Sequence, residues 1–222
     1  MTERALDRLD WGQVYALASD VLLLDPDNTE AAVLRDLAER RGGRNSTPGR
    51  RQATAIYADL VESTPLAERY DVEIYSGVLR AFEQACRPAI DEHEGHFVDL
   101  KGDALVACFG YPSAHEDDAC RAVAAALDML DALRPVAAAL RADEGIELRA
   151  RIGIDTGVVV IDGAGVRGAT LNRAARLQAL AEPDTVVVSA TTNELVADQF
   201  ETRPLGRRQL KGVDGPDRKS VV

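Results

Sequence analysis

The stretch FVDLKGDALVACFG at residues 97–110 places two runs of strand-forming residues on either side of a Lys-Gly-Asp turn. Apolar runs joined by a short turn that contains glycine predict a β-hairpin. Upstream, apolar residues recur at spacings of three and four between Val72 and Ile90, which predicts an amphipathic helix. Before that helix, ATAIYA at residues 53–58 is typical of a short strand.

Downstream of the hairpin, helix and strand patterns continue to alternate. Acidic residues 116–118 open a long Ala-rich helix, where the helix dipole favours negative charge. The segment LRARIGIDTGVVVI is strand material with a predicted break at residues 155–157. Further predicted elements are a helix at about 171–181, a strand at 186–188, a helix near 191–197 and strand-like residues at 200–204 and 209–211. This order predicts an α+β fold, a ferredoxin-like βαββαβ sheet with helices on one face.

Composition limits the classes of function. The chain has 222 residues, 46% of them hydrophobic, and a formal net charge of −11. That acidity argues against nucleic-acid or anionic-membrane binding, since both need a basic face. No apolar run approaches the ~18 residues of a membrane span, and MTERALDRLDWG lacks a signal-peptide core. We therefore expect a cytoplasmic protein without a membrane or nucleic-acid partner.

Three segments are predicted. Residues 1–39 form a helical extension in which two short helices around LDPDNTEAA resemble one tetratricopeptide-type unit, with Asn28 or Thr29 capping the second. A single unit of that type cannot bury its own apolar face, so it is either an interaction module for a protein partner or a plain helical extension. Residues 40–51, RRGGRNSTPGRR, predict a basic flexible linker, and residues 52–222 form the main domain.

Two carboxylates follow predicted strands, Asp59 at a strand end and Asp103 in the hairpin turn. If these strands are neighbours, both side chains converge at one end of the sheet, where with phosphate oxygens they suit Mg²⁺. The alternative is that both are ordinary turn residues. After Asp59, Ser63 or Thr64 is predicted to cap a helix whose free N–H groups could hold a phosphate chain.

Cationic and amide side chains form a second set. Asn172 and Arg176 lie four residues apart on a predicted helix and so share one face. An amide and a guanidinium together could orient a ribose and neutralise charge on a transferring phosphoryl group. Arg151 and Lys211 are further cations. Structural salt bridges are the alternative for all of these charged residues.

Five blocks occur in a fixed order over about residues 52–214: ATAIYADLVESTPLAER, KGDALVACFGYPSAHEDDACRAVAAAL, RIGIDTG, LNRAARLQALAEP and LKG. In these blocks the sequence resembles the catalytic domain of the class III nucleotide cyclases, the adenylate and guanylate cyclase family. The resemblance implies a homodimer with active sites at the subunit interface. It also implies attack of the ribose 3′-oxygen on the α-phosphorus of a nucleoside triphosphate, most often ATP, with pyrophosphate leaving.

The resemblance assigns a role to each matching position. Two Mg²⁺ or Mn²⁺ ions would be held by Asp59, Asp103 and the carbonyl of Leu60. Phosphates would be met by Arg151 of the same subunit and by Lys211. From the other subunit, Asn172 would orient the ribose and Arg176 would stabilise the transition state.

The base-selecting position departs from the family pattern. The family's usual lysine, four residues before the second metal aspartate, is Asp99 here, whereas Lys101 lies two before it. A two-residue offset in a strand keeps the same face, so Lys101 can substitute. Asp99 could instead accept from guanine N–H groups, which leaves GTP open. A regulatory nucleotide-binding domain without turnover and a mainly interacting protein are the other hypotheses.

Overall fold

The computed structural model describes residues 11–25, 28–40, 49–162, 165–208 and 217–222. These belong to two compact units. One comprises Met1–Arg51 with Val160–Arg167, and the other comprises Gln52–Val159 with Gly168–Val222. The domain boundaries predicted from composition stay a prediction.

The first unit contains a pair of helices, α1 (Trp11–Leu24) and α2 (Thr29–Arg40), which pack against each other. The side-chain oxygen of Asn28 accepts a hydrogen bond of 3.0 Å from the backbone N–H of Ala31, so Asn28 is the cap of α2. Among the side chains of this pair that the structure describes, the buried ones are small: Ala18, Ala31 and Ala38.

The second unit holds the strands of the sheet except β5, the start of β1 and the end of β4, which belong to the first unit, and its helices follow the predicted order. The strands are β1 (Gly49–Leu60), β2 (His96–Lys101), β3 (Ala104–Phe109), β4 (Ala150–Asp162), β5 (Gly165–Arg167), β6 (Thr185–Val188), β7 (Arg203–Arg208) and β8 (Asp217–Val221). The helices are α3 (Ser63–Arg69), α4 (Val72–Glu92), α5 (Asp118–Glu144), α6 (Ala169–Gln178) and α7 (Ala190–Val196).

The strand order across the described sheet is β2-β3-β1-β4-β6-β8-β7, with β5 paired to β4. The first four strands lie in the order 2-3-1-4, and β1 pairs antiparallel with β3, as β2 does. This is the arrangement of a ferredoxin-like βαββαβ core, so the predicted fold class is confirmed.

One face of the sheet carries the main apolar core. Alternate residues of the strands point into it, which is why Ile56, Ala58 and Leu60 are buried together with residues from β3, β4 and β6. Helices α4 and α5 cover this face with Phe82, Cys86, Ile90, Val123 and Met129. The helices of the βαββαβ core therefore lie on one face, as expected.

Helix α6 is an addition that packs on the opposite face. Ile152 and Ile154 of β4 point into the main core, whereas Gly153 between them faces α6. A Cβ at Gly153 would collide with the carbonyl oxygen of Ala174 and the backbone nitrogen of Gln178. The glycine thus lets the helix backbone lie directly on the strand backbone.

The predicted break in β4 at residues 155–157 is wrong, because the strand runs through it. Asp155 accepts a 2.7 Å hydrogen bond from Nε of Arg173 on α6. The hydroxyl of Thr156 bonds the hydroxyl of Thr54 at 2.9 Å. These tertiary partners satisfy polar groups that would otherwise favour a turn.

Several boundaries also differ from the sequence-based prediction. β1 begins at Gly49, so residues 49–51 are strand rather than linker, whereas residues 41–48 lie outside the described residues. Helix α6 ends at Gln178, three residues earlier than expected. Strand β8 was not predicted, and the predicted strand at 209–211 lies outside the described residues. None of the described helices combines the length and apolar character needed to cross a membrane.

The contact at Gly153 makes a testable prediction. We expect Gly153→Ala to lower the free energy of unfolding by about 1–3 kcal/mol, because the added methyl forces α6 away from β4. Gly77→Ala is the matched control. Gly77 lies inside α4 with open space around its Cβ position, so alanine there should be neutral or stabilising by up to ~1 kcal/mol. Urea unfolding of both variants makes the comparison, and equal effects would contradict the close approach.

Candidate active site

An open cleft of about 490 Å³ lies where β1 ends and α3 begins. Six of the residues singled out in the sequence line it: Asp59, Leu60, Ser63, Thr64, Asp103 and Arg151. Two larger cavities of about 580 and 630 Å³ run along α5, but their arginines are already paired with acids, as Arg149 is with Asp184 at 2.7 Å. The cleft at β1 is therefore the better candidate for chemistry.

Strand register explains how Asp59 comes to face the hairpin. Asp59 of β1 lies opposite Ala104 of β3, and Ala104 lies opposite Lys101 of β2. Residues directly opposite one another in antiparallel strands project from the same face. Asp59 and Lys101 therefore share one face at the sheet's end, beside the turn that contains Asp103.

The carboxyl group of Asp59 is unusual in its electrostatics. Burial, the negative charge of Asp103 and a hydrogen bond with Asp103 raise the pKa of Asp59 from 3.8 to about 6. Arg151 and Gln178 oppose this shift, Arg151 from 3.7 Å and Gln178 through a hydrogen bond of 2.9 Å to Oδ2. Asp59 and Asp103 thus share a site in which the nearby positive charge of Arg151 does not offset their two negative charges.

Arg151 also has unused hydrogen-bonding capacity. Its Nε is buried and has no hydrogen-bond partner among the described residues. A buried donor without an acceptor costs free energy. A phosphate oxygen entering the cleft would supply that acceptor.

The start of α3 corrects one prediction. The helix begins at Ser63, and its N-cap position is Glu62, whose φ of 58° is left-handed and whose side chain makes no capping bond. Neither Ser63 nor Thr64 is therefore the cap, because the turn at Glu62 starts the helix one residue earlier. Glu62 itself lines the cleft and adds a third carboxylate to it.

Asp99 and Lys101 are both exposed and lie on the same face of β2. No register shift separates them, since Asp99 lies opposite Val106 and Lys101 opposite Ala104. Neither is among the described residues that line the cleft. Both side chains are therefore exposed on β2, and their contact with a nucleotide base stays a prediction.

Asn172 and Arg176 lie on α6 as expected, Asn172 exposed and Arg176 partly buried. Neither is among the described residues that line the cleft of this chain. The helix instead presents Ala175 and Gln178 to it. Lys211, the remaining predicted site residue, lies outside the described residues.

Tyr57 and Gln178 are polar residues of the cleft that sequence reasoning did not single out. Tyr57 lies two residues before Asp59 and so on the same strand face, where burial and then the charges of Asp59 and Asp103 raise its pKa. Gln178 follows Leu171 and Ala174 at the spacing of a buried helix face. A polar residue in such an apolar series was the available signal.

The donor set suits a divalent cation only in part. Among the described residues, no group of three or more His, Cys, Asp or Glu side chains could hold a metal ion. Asp59 and Asp103 alone offer hard oxygen ligands, and their mutual repulsion is what a cation would relieve. The residues present therefore fit an ion whose other ligands come from water or from a bound phosphate.

A family model described as the adenylate and guanylate cyclase catalytic domain matches residues 47–221. The chain belongs to this family. The cleft at β1 is therefore the candidate site for the cyclase chemistry after which the family is named.

Some similar proteins are named adenylate cyclases and others guanylyl cyclases. Adenylate cyclase 1 of Rhizobium meliloti (strain 1021) is 28% identical over 184 residues, which are 77% of this chain and 27% of that protein. The structure of the guanylyl cyclase Cya2 is 31% identical, covers 79% of this chain and 93% of that chain, and has a TM-score of 0.72. The adenylyl cyclase CyaB from P. aeruginosa, at 24% identity and a TM-score of 0.74, shares the fold.

An uncharacterized protein of Rhizobium meliloti (strain 1021) is 36% identical over 196 residues. This chain spans 19% of that protein and 27% of adenylate cyclase 1. These relatives are therefore several times longer than the segment they share with this chain.

The raised pKa of Asp59 predicts a pH-dependent stability in metal-free buffer. The folded state holds the Asp59 proton more tightly than the unfolded chain does, so stability falls as pH rises from about 4 to about 6. Asp59→Asn removes this loss, and we expect it to stabilise the protein at pH 7 by on the order of 1–3 kcal/mol. That advantage should vanish below about pH 4, where the carboxyl is neutral in both states.

Denaturant unfolding at several pH values with a chelator present makes this measurement. Asp99→Asn makes the same change of charge at an exposed site and serves as the control. A wild-type protein that gains stability between about pH 4 and 6 relative to Asp59→Asn would contradict the shift.

Proposed function

We propose that this chain converts ATP to cyclic AMP and pyrophosphate as a homodimeric adenylate cyclase. The observation that carries the proposal is the Asp59–Asp103 pair beside the unsatisfied Nε of Arg151 in one cleft, where burial and the neighbouring carboxyl group raise the pKa of Asp59. Carboxylates placed for cations and a guanidinium placed for phosphate are the groups that phosphoryl transfer requires.

Two Mg²⁺ or Mn²⁺ ions would be held by Asp59, Asp103 and the carbonyl of Leu60. When bound, such ions activate the ribose 3′-hydroxyl and brace the triphosphate. Leu60 is buried at the end of β1, next to Asp59 in sequence, so its backbone is fixed by the same strand.

The remaining residues act on the nucleotide. Arg151 binds phosphate oxygens through its guanidinium, Ser63 and Thr64 lie where α3 starts beside the phosphates, and Lys211 binds the terminal phosphates. Asn172 orients the ribose, and Arg176 stabilises the charge that develops on the α-phosphoryl group. The bond from the 3′-oxygen to phosphorus forms as the bond to the pyrophosphate oxygen breaks, and the proton of the 3′-hydroxyl passes to a water molecule in the open cleft.

Helix geometry supports a site shared between two subunits. At about 100° per residue, Gln178 projects about 200° away from Arg176 around the axis of α6. Gln178 bonds Asp59 of its own chain, so Arg176 and Asn172 point away from that side. A second copy of the chain gives them a cleft to enter, because a two-fold interface pairs each site with both copies.

Lys101 supports the preference for ATP. It lies on the same sheet face as Asp59, two residues from the usual lysine position, and its ammonium group can donate to a ring nitrogen of adenine. Asp99 on the same face supports the alternative, a guanylate cyclase, since a carboxylate accepts from the N–H groups of guanine. The 31% identity to a structure named guanylyl cyclase favours the same alternative.

Glu62 favours a second candidate function, a regulatory nucleotide-binding domain with little turnover. Its carboxylate lines the cleft close to the start of α3, where it would repel a phosphate chain. The cyclase proposal requires this exposed side chain to turn toward solvent when the nucleotide binds.

The first test measures cyclic nucleotide formation from ATP and from GTP, each with Mg²⁺ and with Mn²⁺. We expect cyclic AMP as the main product and a loss of at least about 100-fold in Asp59→Ala, because one carboxylate of the metal pair is gone. Asp91→Ala, which removes an exposed carboxylate of α4, should keep wild-type activity. Faster turnover of GTP would replace adenylate by guanylate cyclase, and no product from folded dimeric protein would overturn the enzyme proposal.

The shared site has its own test. Asp59→Ala and Arg176→Ala chains should each be inactive, yet a mixture that exchanges subunits should recover about a quarter of wild-type activity. Half of the random dimers are mixed, and each mixed dimer has one site with both residues intact. Two copies of the same variant cannot restore activity, so they are the control. A mixture as inactive as its components would place both residues in the site of a single chain.

A further inference from the structure

We propose that Gln178 is a positioning residue, which holds Asp59 in the orientation that binds the divalent cation. The inference rests on the proposed function, because it takes Asp59 as a metal ligand. It concerns a residue that the sequence motifs did not single out and that lies on the other side of α6 from Asn172 and Arg176.

The contact is specific to one carboxylate oxygen. Nε2 of Gln178 donates to Oδ2 of Asp59 at 2.9 Å, and the nearest guanidinium nitrogen of Arg151 approaches the same oxygen at 3.7 Å. The amide of Gln178 and the guanidinium of Arg151 therefore both act on Oδ2. The other polar neighbour of this carboxyl group is Asp103, the second proposed metal ligand, and a bound cation would replace the hydrogen bond between the two carboxyl groups.

Gln178 is itself fixed in place. Its side chain is only 5% exposed, and its backbone nitrogen lies against β4 at Gly153, where no Cβ would fit. The donor therefore sits on a helix held rigidly on the strand next to β1. An amide in this position is a neutral group that orients the carboxylate without supplying a competing positive charge.

A structural role alone would predict different behaviour. If Gln178 only filled space or satisfied its own amide, replacing it with an apolar side chain of similar size would alter stability but not metal affinity. If it positions Asp59, the same replacement should weaken the metal site, as loss of a partner to a metal ligand typically does by 10–100-fold.

The test compares Mn²⁺ binding by wild-type protein, Gln178→Met and Gln178→Asn, using electron paramagnetic resonance with Mn²⁺ alone. We expect Gln178→Met to weaken Mn²⁺ binding about tenfold, and Gln178→Asn, which keeps a shorter amide, to lose less. In the cyclase assay, the Mn²⁺ concentration for half-maximal rate should rise while the rate at saturating Mn²⁺ stays within about twofold. Gln84→Met, on an exposed position of α4, should leave both unchanged.

Asp59→Ala separates the two proposals. Mn²⁺ binding that survives in Asp59→Ala would overturn the proposed metal site, whatever Gln178 does. Binding that is lost in Asp59→Ala but unchanged in Gln178→Met would overturn the positioning role alone, as would a lower saturated rate at an unchanged Mn²⁺ requirement. If Gln178→Met fails to fold, Gln178→Asn decides: weaker Mn²⁺ binding supports the role, and wild-type binding overturns it.

Discussion

The candidate site depends on the backbone contact between α6 and β4 at Gly153. A side chain there would collide with Ala174 and Gln178, so only glycine allows the helix to lie on the strand. Because the packing is backbone against backbone, α6 has little freedom to slide or rotate. That constraint fixes Gln178 beside Asp59, and it fixes Arg173 where its Nε bonds Asp155 at 2.7 Å.

Two carboxylates, Asp155 and Asp59, lie on the sheet face that α6 covers, and they differ in how far nearby positive charge compensates them. Asp155 has a guanidinium within hydrogen-bond distance, so its charge is compensated inside the protein. Asp59 is partly buried, has Asp103 beside it and has Arg151 only at 3.7 Å, so burial and then the charge of Asp103 raise its pKa to about 6. A fold optimised for stability alone would not retain such a pair, and perturbed carboxylates of this kind concentrate at functional sites.

Local pattern was enough to predict the elements whose partners lie next to them along the chain. The hairpin β2–β3 and the amphipathic helix α4 followed from turn chemistry and spacing, and together with β1 they gave the fold class. The uninterrupted β4 could not be predicted from its polar residues 155–157, since their partners Arg173 and Thr54 are distant in sequence. The role of Gln178 required knowing that α6 crosses β4 at Gly153, which no local pattern contains.

Helix α6 carries residues of both parts of the proposed site, the metal-binding part and the nucleotide-binding part. The side of α6 that carries Gln178 is bound to Asp59 of its own chain, while the opposite side carries Asn172 and Arg176. In the proposed dimer, the helix that orients the metal ligand of one cleft also presents the ribose and phosphate contacts to the other. Any shift of α6 on β4 would therefore alter both clefts at once, because a rigid helix transmits displacement along its length. The backbone contact at Gly153 is the point at which such a shift would be resisted.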